Sequence, residues 1–131
     1  MSGPFVFIAT NRLKEGSFEA ERARVPGLVE FVASREPQLL AFNEYASEDG
    51  REVAVVQVHP DSASMELHLA LIREQAASAY AGTIERTASI QVFGTPGEAI
   101  LGLLREQAGA GAELSVKPLH LGGFSRLAAT G

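Results

Sequence analysis

His68 is the residue of this chain best placed to move a proton. It lies beside an apolar stripe, Met65, Leu69, Ile72, Ala76 and Ala79, that recurs at helical period. It can therefore face a cavity between that helix and a sheet, where an imidazole with an ordinary pKa of about 6.5 suits general-base work. The structural alternative is a histidine at the edge of the core, bonded to a backbone carbonyl. His59 ends a strand just before Pro60 and Asp61, and reads either as a second group at the cavity mouth or as a brace bonded to Asp61. His59, His68 and His120 have no recognised ligand spacing, so no metal site is expected.

Three uncharged polar residues are candidates to orient a ligand. Asn11 shares a strand face with Phe5, Phe7 and Ala9, because side chains alternate with period two. An asparagine among phenylalanines must find partners if it is buried, either on a ligand or on the next strand. By the same rule Asn43 and Tyr45 share one face of the second strand, while Arg12 and Glu44 point the other way and are candidates for a cross-strand or intersubunit pair. Tyr80, near the end of the second helix, is equally a packing aromatic with its hydroxyl in water and a donor to substrate.

The elements that would position these residues read as follows. A first strand, residues 4–13, leads into a helix from Ser17 towards Ser34, with Pro26-Gly27 predicting a kink or two short helices. Residues 39–46 and 52–59 form a hairpin around Asp49-Gly50, a dipeptide that supplies the positive φ of a tight turn. Pro60 stops the second of these strands, Asp61 or Ser62 caps the next helix, and Gly82 ends it. A fourth strand runs from about Thr87 to Phe93. Thr95-Pro96-Gly97-Glu98 has the pattern of a capping box with proline at the first helical position. The helix it opens gives way to a strand from about Leu114 to Leu121, whose Pro118 predicts an edge position. The order is β-α-β-β-α-β with an appended α-β: an α+β, ferredoxin-like antiparallel sheet. It forms one domain, with a core at about 4–95 and an extension at about 96–127.

Strands one and three carry apolar residues on both faces: Phe5 and Phe7 against Val6 and Ile8, and Val53 and Val55 against Ala54, Val56 and Val58. A sheet wetted on one face alternates more cleanly. The second face therefore predicts a homodimer in which two sheets pack together, unless the C-terminal helix and strand cover it within one chain.

Composition narrows the partners. The 131 residues carry a formal net charge of −5, with 46% hydrophobic and 21% charged residues and no cysteine. Without a basic cluster there is no footprint for nucleic acid. No apolar run reaches the roughly 20 residues that span a bilayer, and the N-terminus does not read as a secretory signal. Absent cysteines agree with a reducing compartment, so the expected setting is cytoplasmic, with a small molecule as ligand.

Three passages, IATNRL, EPQLLAFNEY and VVQVHPDSASMELHL, resemble the dimeric α/β-barrel superfamily, and within it the antibiotic-biosynthesis-monooxygenase-like domains. The resemblance covers about residues 4–95. It implies a pocket lined by Asn11, and a histidine followed by an aliphatic residue on the second helix, here His68-Leu69. The chain departs from the haem-degrading relatives: it has no tryptophan, and their axial histidine falls near Ser78. Relatives that oxidise quinols or phenols need neither metal nor flavin, since a deprotonated electron-rich substrate reacts with oxygen itself. The expectation is a cofactor-independent monooxygenase for a small aromatic or quinol-like compound. His68 would be its base, with Asn11, Asn43, His59 and Tyr80 at the substrate. The alternative is a non-catalytic barrel that binds a small molecule or serves as an accessory protein.

Overall fold

Strand β1 (Phe5–Leu13) lies in the middle of the sheet because both of its edges are paired. In the computed structural model, which describes residues 3–126, the order is β2-β3-β1-β4-β5. The hairpin β2 (Ala41–Ala46) and β3 (Glu52–His59) turns at Gly50, with φ of 69°. The Ser47 hydroxyl and the Asp49 carboxylate tie that turn together. Strand β4 (Ile84–Phe93) completes four antiparallel strands, and β5 (Glu113–Lys117) adds a parallel edge strand beside β4.

The helices are α1 (Phe18–Arg35), α2 (Ser62–Leu71), α3 (Arg73–Gly82) and α4 (Glu98–Gly109). The main core joins Phe5, Phe7, Ile90 and Val92 of the sheet to Met65 of α2 and to Ile100 and Leu104 of α4. A smaller one joins Leu13, Val53 and Ile84 to Ala79 of α3. Helix α4 thus packs on the same face as α2, and β5 only widens the sheet. Among the described residues the extension does not cover the second face, where Val6, Ile8, Val56 and Val58 keep part of their surface accessible and Tyr45 is exposed. Among the described residues no helix is long and apolar enough to cross a membrane.

Several local expectations are corrected. Helix α1 runs through Pro26 as one helix and not as two short ones. The proline removes one donor, but Arg22, whose carbonyl loses that partner, is exposed together with Pro26 and Gly27, so water can take the bond. Restoring the donor with Pro26→Ala is expected to raise unfolding stability by about 1–3 kcal/mol, read as a higher urea midpoint at unchanged slope.

The helix expected over 62–82 is two helices meeting at Ile72, which has φ −95° and ψ 6°. Bonds from the Ile72 amide to the His68 carbonyl and from the Ala76 amide to the Ile72 carbonyl bracket the junction. Helix α4 begins at Glu98 with Gly97 as its cap, so Pro96 precedes the helix. The Gly97 amide donates to Ser62 Oγ at 2.9 Å, which docks the start of α4 on the start of α2. Strand β5 ends at Lys117, one residue short of Pro118, and β4 begins three residues earlier than expected, at Ile84.

Candidate active site between the sheet and the helices

The cavity occupies about 690 Å³ between the helix-facing side of the sheet and helices α1 to α4. Its floor follows from register. Glu44, Val55, Ala9 and Ile90 form one cross-strand row, and Phe42, Gln57 and Phe7 form the next. The stripe of Met65, Leu69, Ile72, Ala76 and Ala79 supplies much of its roof, so the helical period survives the break at Ile72.

His68 is fully buried and lines this cavity. Its Nδ1 lies 2.8 Å from Glu36 Oε2. A carboxylate can only accept, so Nδ1 carries the hydrogen and Nε2 of the neutral ring is left as a lone pair. Nε2 is buried and has no hydrogen-bond partner. Burial lowers the His68 pKa, with the hydrogen bond and charge of Glu36 opposing it. The ring is therefore neutral at pH 7, oriented, and basic on the side that has no protein partner. Glu36 is itself buried just beyond α1, and one of its carboxylate oxygens also accepts from Gln38.

His59 is equally buried but lies outside the cavity lining. Its Nδ1 accepts from the Ser64 hydroxyl at 2.7 Å, and its Nε2 donates to Gln57 Oε1 at 3.0 Å. The expected partner, Asp61, instead caps α2 by accepting from the Ser64 amide at 2.9 Å. Burial, together with the neighbouring His68, lowers the His59 pKa to about 4, with Asp61 opposing.

Asn11 and Tyr80 both line the cavity and are linked through a residue that sequence reasoning missed. The Thr87 hydroxyl donates to Asn11 Oδ1 at 2.8 Å and is hydrogen-bonded to the Tyr80 hydroxyl. Asn43 does not join them. It is exposed and pairs with Val56 and Ile8 in a row on the opposite face. Period two shows which residues share a face but not which face meets the helices. In β2 the helix-facing residues are Phe42 and Glu44, so Glu44 enters the cavity and is no cross-strand partner of Arg12.

Glu44 is a second cavity residue, which the sequence marked only as a candidate partner of Arg12. Its carboxyl lies against Glu21 of α1, which is itself held by Arg24 at 2.6 and 2.9 Å and by the Thr83 hydroxyl at 2.7 Å. Burial raises the Glu44 pKa to about 8, and the hydrogen bond and charge of Glu21 add to it. Burial alone would also raise the Glu21 pKa, but hydrogen bonds from Glu44, Arg24 and Thr83 with the charge of Arg24 bring it below its ordinary value. One guanidinium thus balances one carboxylate, and the second carboxyl keeps its proton. Among the described residues, no group of three or more His, Asp or Glu side chains converges as a metal site.

No protein-family model matches the sequence, and no curated protein matches it. Solved structures do. MupZ from Pseudomonas fluorescens shares 22% identity with a TM-score of 0.71, over 95% of this chain and 96% of that one. An antibiotic biosynthesis monooxygenase shares 17% identity at a TM-score of 0.59, over 71% of this chain and 99% of that one. Rv0793 from Mycobacterium tuberculosis shares 18% at 0.59, over 74% and 99%. The second and third match most of their own length on part of this chain, whereas the first extends over nearly all of it. At these identities the likeness is one of fold: this chain shares the ferredoxin-like α+β fold of these structures, one of them an antibiotic biosynthesis monooxygenase.

Proposed function

We propose that the protein is a cofactor-independent monooxygenase for a small aromatic or quinol-like compound, with His68 as its base. The observation that carries this reading is the lone pair of His68 Nε2, buried and unpartnered on a residue that lines the cavity, while Glu36 holds the other ring nitrogen. His68 removes a proton from a phenol or an activated methylene. The resulting electron-rich anion reacts with dioxygen. For an anthrone the balance is CH₂ plus O₂ giving C=O plus H₂O, so the substrate supplies every electron. The apolar lining keeps water away from the anion, and the Asn11–Thr87–Tyr80 chain offers polar edges for the substrate oxygens. Oxygen uptake with a panel of hydroquinones and anthrones tests the reading. Uptake that is unchanged in His68→Ala removes His68 from the mechanism, and no uptake with any compound removes the oxidation.

The rival reading, a non-catalytic protein that binds a small molecule or serves as an accessory, draws on one observation. Asn11, Thr87 and Tyr80 already bond to one another, so part of the polar lining is satisfied without a ligand. A homodimer belongs to the same proposal. It is supported by the uncovered second face of the sheet and by exposed Leu119, Leu121 and Phe124 after β5. Light scattering is expected to give the mass of two chains, and a monomer at micromolar concentration would overturn it.

A further inference from the structure

We infer that Gln57 binds the ligand: its side-chain amide gives an N–H to a carbonyl or phenolate oxygen of the bound aromatic. His59 and Ser64 act through it, as a chain of hydrogen bonds that fixes which way the amide points. This role depends on the cavity being the ligand site, as proposed above, but not on oxidation of the ligand. It uses hydrogen bonds alone, and no covalent bond forms or breaks.

The chain fixes its own direction. Ser64 is buried and, among the described residues, its hydroxyl is bonded to His59 Nδ1 alone, at 2.7 Å. A buried hydroxyl hydrogen needs an acceptor, so Nδ1 is the lone-pair nitrogen and Nε2 carries the hydrogen. Burial holds the His59 pKa at about 4, so the neutral ring keeps this arrangement at pH 7. Nε2 then donates to Gln57 Oε1 at 3.0 Å, which leaves both hydrogens of Gln57 Nε2 to spare.

Those hydrogens open onto the cavity. Gln57 Nε2 has no partner among the described residues, yet it is not one of the unpartnered polar atoms shut off from solvent. It therefore keeps accessible surface. Strand β3 is flanked by β1 and β2, and Gln57 stands between Phe7 and Phe42 in a helix-facing row. Its accessible surface can belong only to the cavity that it lines. Asn11 repeats the arrangement: its Oδ1 takes the Thr87 hydrogen, and its Nδ2 is neither partnered nor shut off. The Ala9–Val55 row separates the two amides on one floor. Neither amide can turn without breaking the bond to its oxygen, so both offer donors to an apolar ring system with oxygens at its two ends. Donors held in place beforehand favour a negatively charged oxygen most, since nothing must reorganise to receive it.

The test is calorimetric binding, under argon, of 2-hydroxy-1,4-naphthoquinone, which is anionic at neutral pH and already oxidised. Naphthalene, with the same two rings and no oxygen, is the control. The wild-type protein is expected to prefer the quinone. Gln57→Met removes the donor at similar volume, and is expected to weaken quinone binding about 10–100-fold while naphthalene stays within about twofold. Gln57→Glu keeps an acceptor for His59 Nε2, so it preserves the core if methionine unfolds it, and is expected to lose at least as much at pH 8. His59→Leu frees the amide to turn and is expected to lower the quinone preference although His59 does not line the cavity. His59→Gln can still donate to Gln57 Oε1 and is expected to restore it. Quinone binding within about threefold of wild type in both Gln57 variants overturns the assignment. So does a wild-type protein that binds neither compound, or naphthalene as tightly as the quinone. Gln57-dependent binding without oxygen uptake from any hydroquinone or anthrone keeps this role and removes the monooxygenase. Oxygen uptake with Gln57-independent binding does the reverse.

Discussion

His68→Ala is expected to lower oxygen uptake with a responsive hydroquinone or anthrone by about 10²–10⁴-fold, the range that a positioned general base contributes. Added imidazole is expected to restore part of the rate, since the alanine leaves a ring-sized space on the cavity wall. The buried Glu36 carboxylate must share in the effect. It fixes His68 Nδ1 as the protonated nitrogen at 2.8 Å, and without it the ring can turn or change tautomer and present N–H to the substrate. Glu36→Leu is therefore expected to reduce turnover more than tenfold while leaving KM nearly unchanged, as for a residue that acts through another. It also strands a buried N–H, at a cost of about 1–3 kcal/mol in stability. Imidazole should not rescue this variant, because its own ring still fills the space. A Glu36→Leu enzyme with the wild-type rate would show that His68 needs no carboxylate to be aligned.

Acid should weaken the fold through His59. In the folded protein its pKa is lowered from 6.5 to about 4 by burial and by His68. Between those values the unfolded chain binds a proton that the folded chain refuses, so stability falls as pH falls through this window. The contribution is fully present above pH 6.5 and lost on approaching pH 4. The shift corresponds to about 3 kcal/mol at one proton. Glu44 works in the opposite direction. Its raised folded pKa favours the folded state most below its ordinary value of 4.5 and loses that contribution as pH rises towards 8. The two overlap, so the measurement is a difference. Urea unfolding of wild type and His59→Gln across pH 4 to 8 should show the wild-type advantage shrinking on acidification. A difference that stays flat with pH would mean that His59 protonates in the folded state as easily as in the unfolded.

Much of the scaffold was legible because it depends on local chemistry. Asp49-Gly50 marked the hairpin, Pro60 the end of β3, and the pair Asp61-Ser62 the cap of α2, which Asp61 supplies. The i, i+4, i+7 stripe from Met65 to Ala79 identified the cavity-facing side of the second helical segment. The alternative of two short helices around Pro26 failed, and that too was local but depended on solvent. Whether Pro26 breaks a helix depends on where the freed carbonyl points, and here it belongs to an exposed residue.

The sequence by itself determined the order of elements, the two-sided apolar character of β1 and β3, and the placing of His68 beside an apolar helical stripe, because periodicity and turn chemistry act over a few residues. Only the tertiary structure decided the phase of β2, which turned Asn43 away from the cavity and Glu44 into it. Only the tertiary structure brought Glu36 to His68 across 32 residues, Glu21 to Thr83 across 62, and Thr87 to Asn11 across 76. Protonation states follow from such long-range neighbours and from burial. A lone Glu44 in a strand gives no sign that it will meet a second carboxylate and keep its proton.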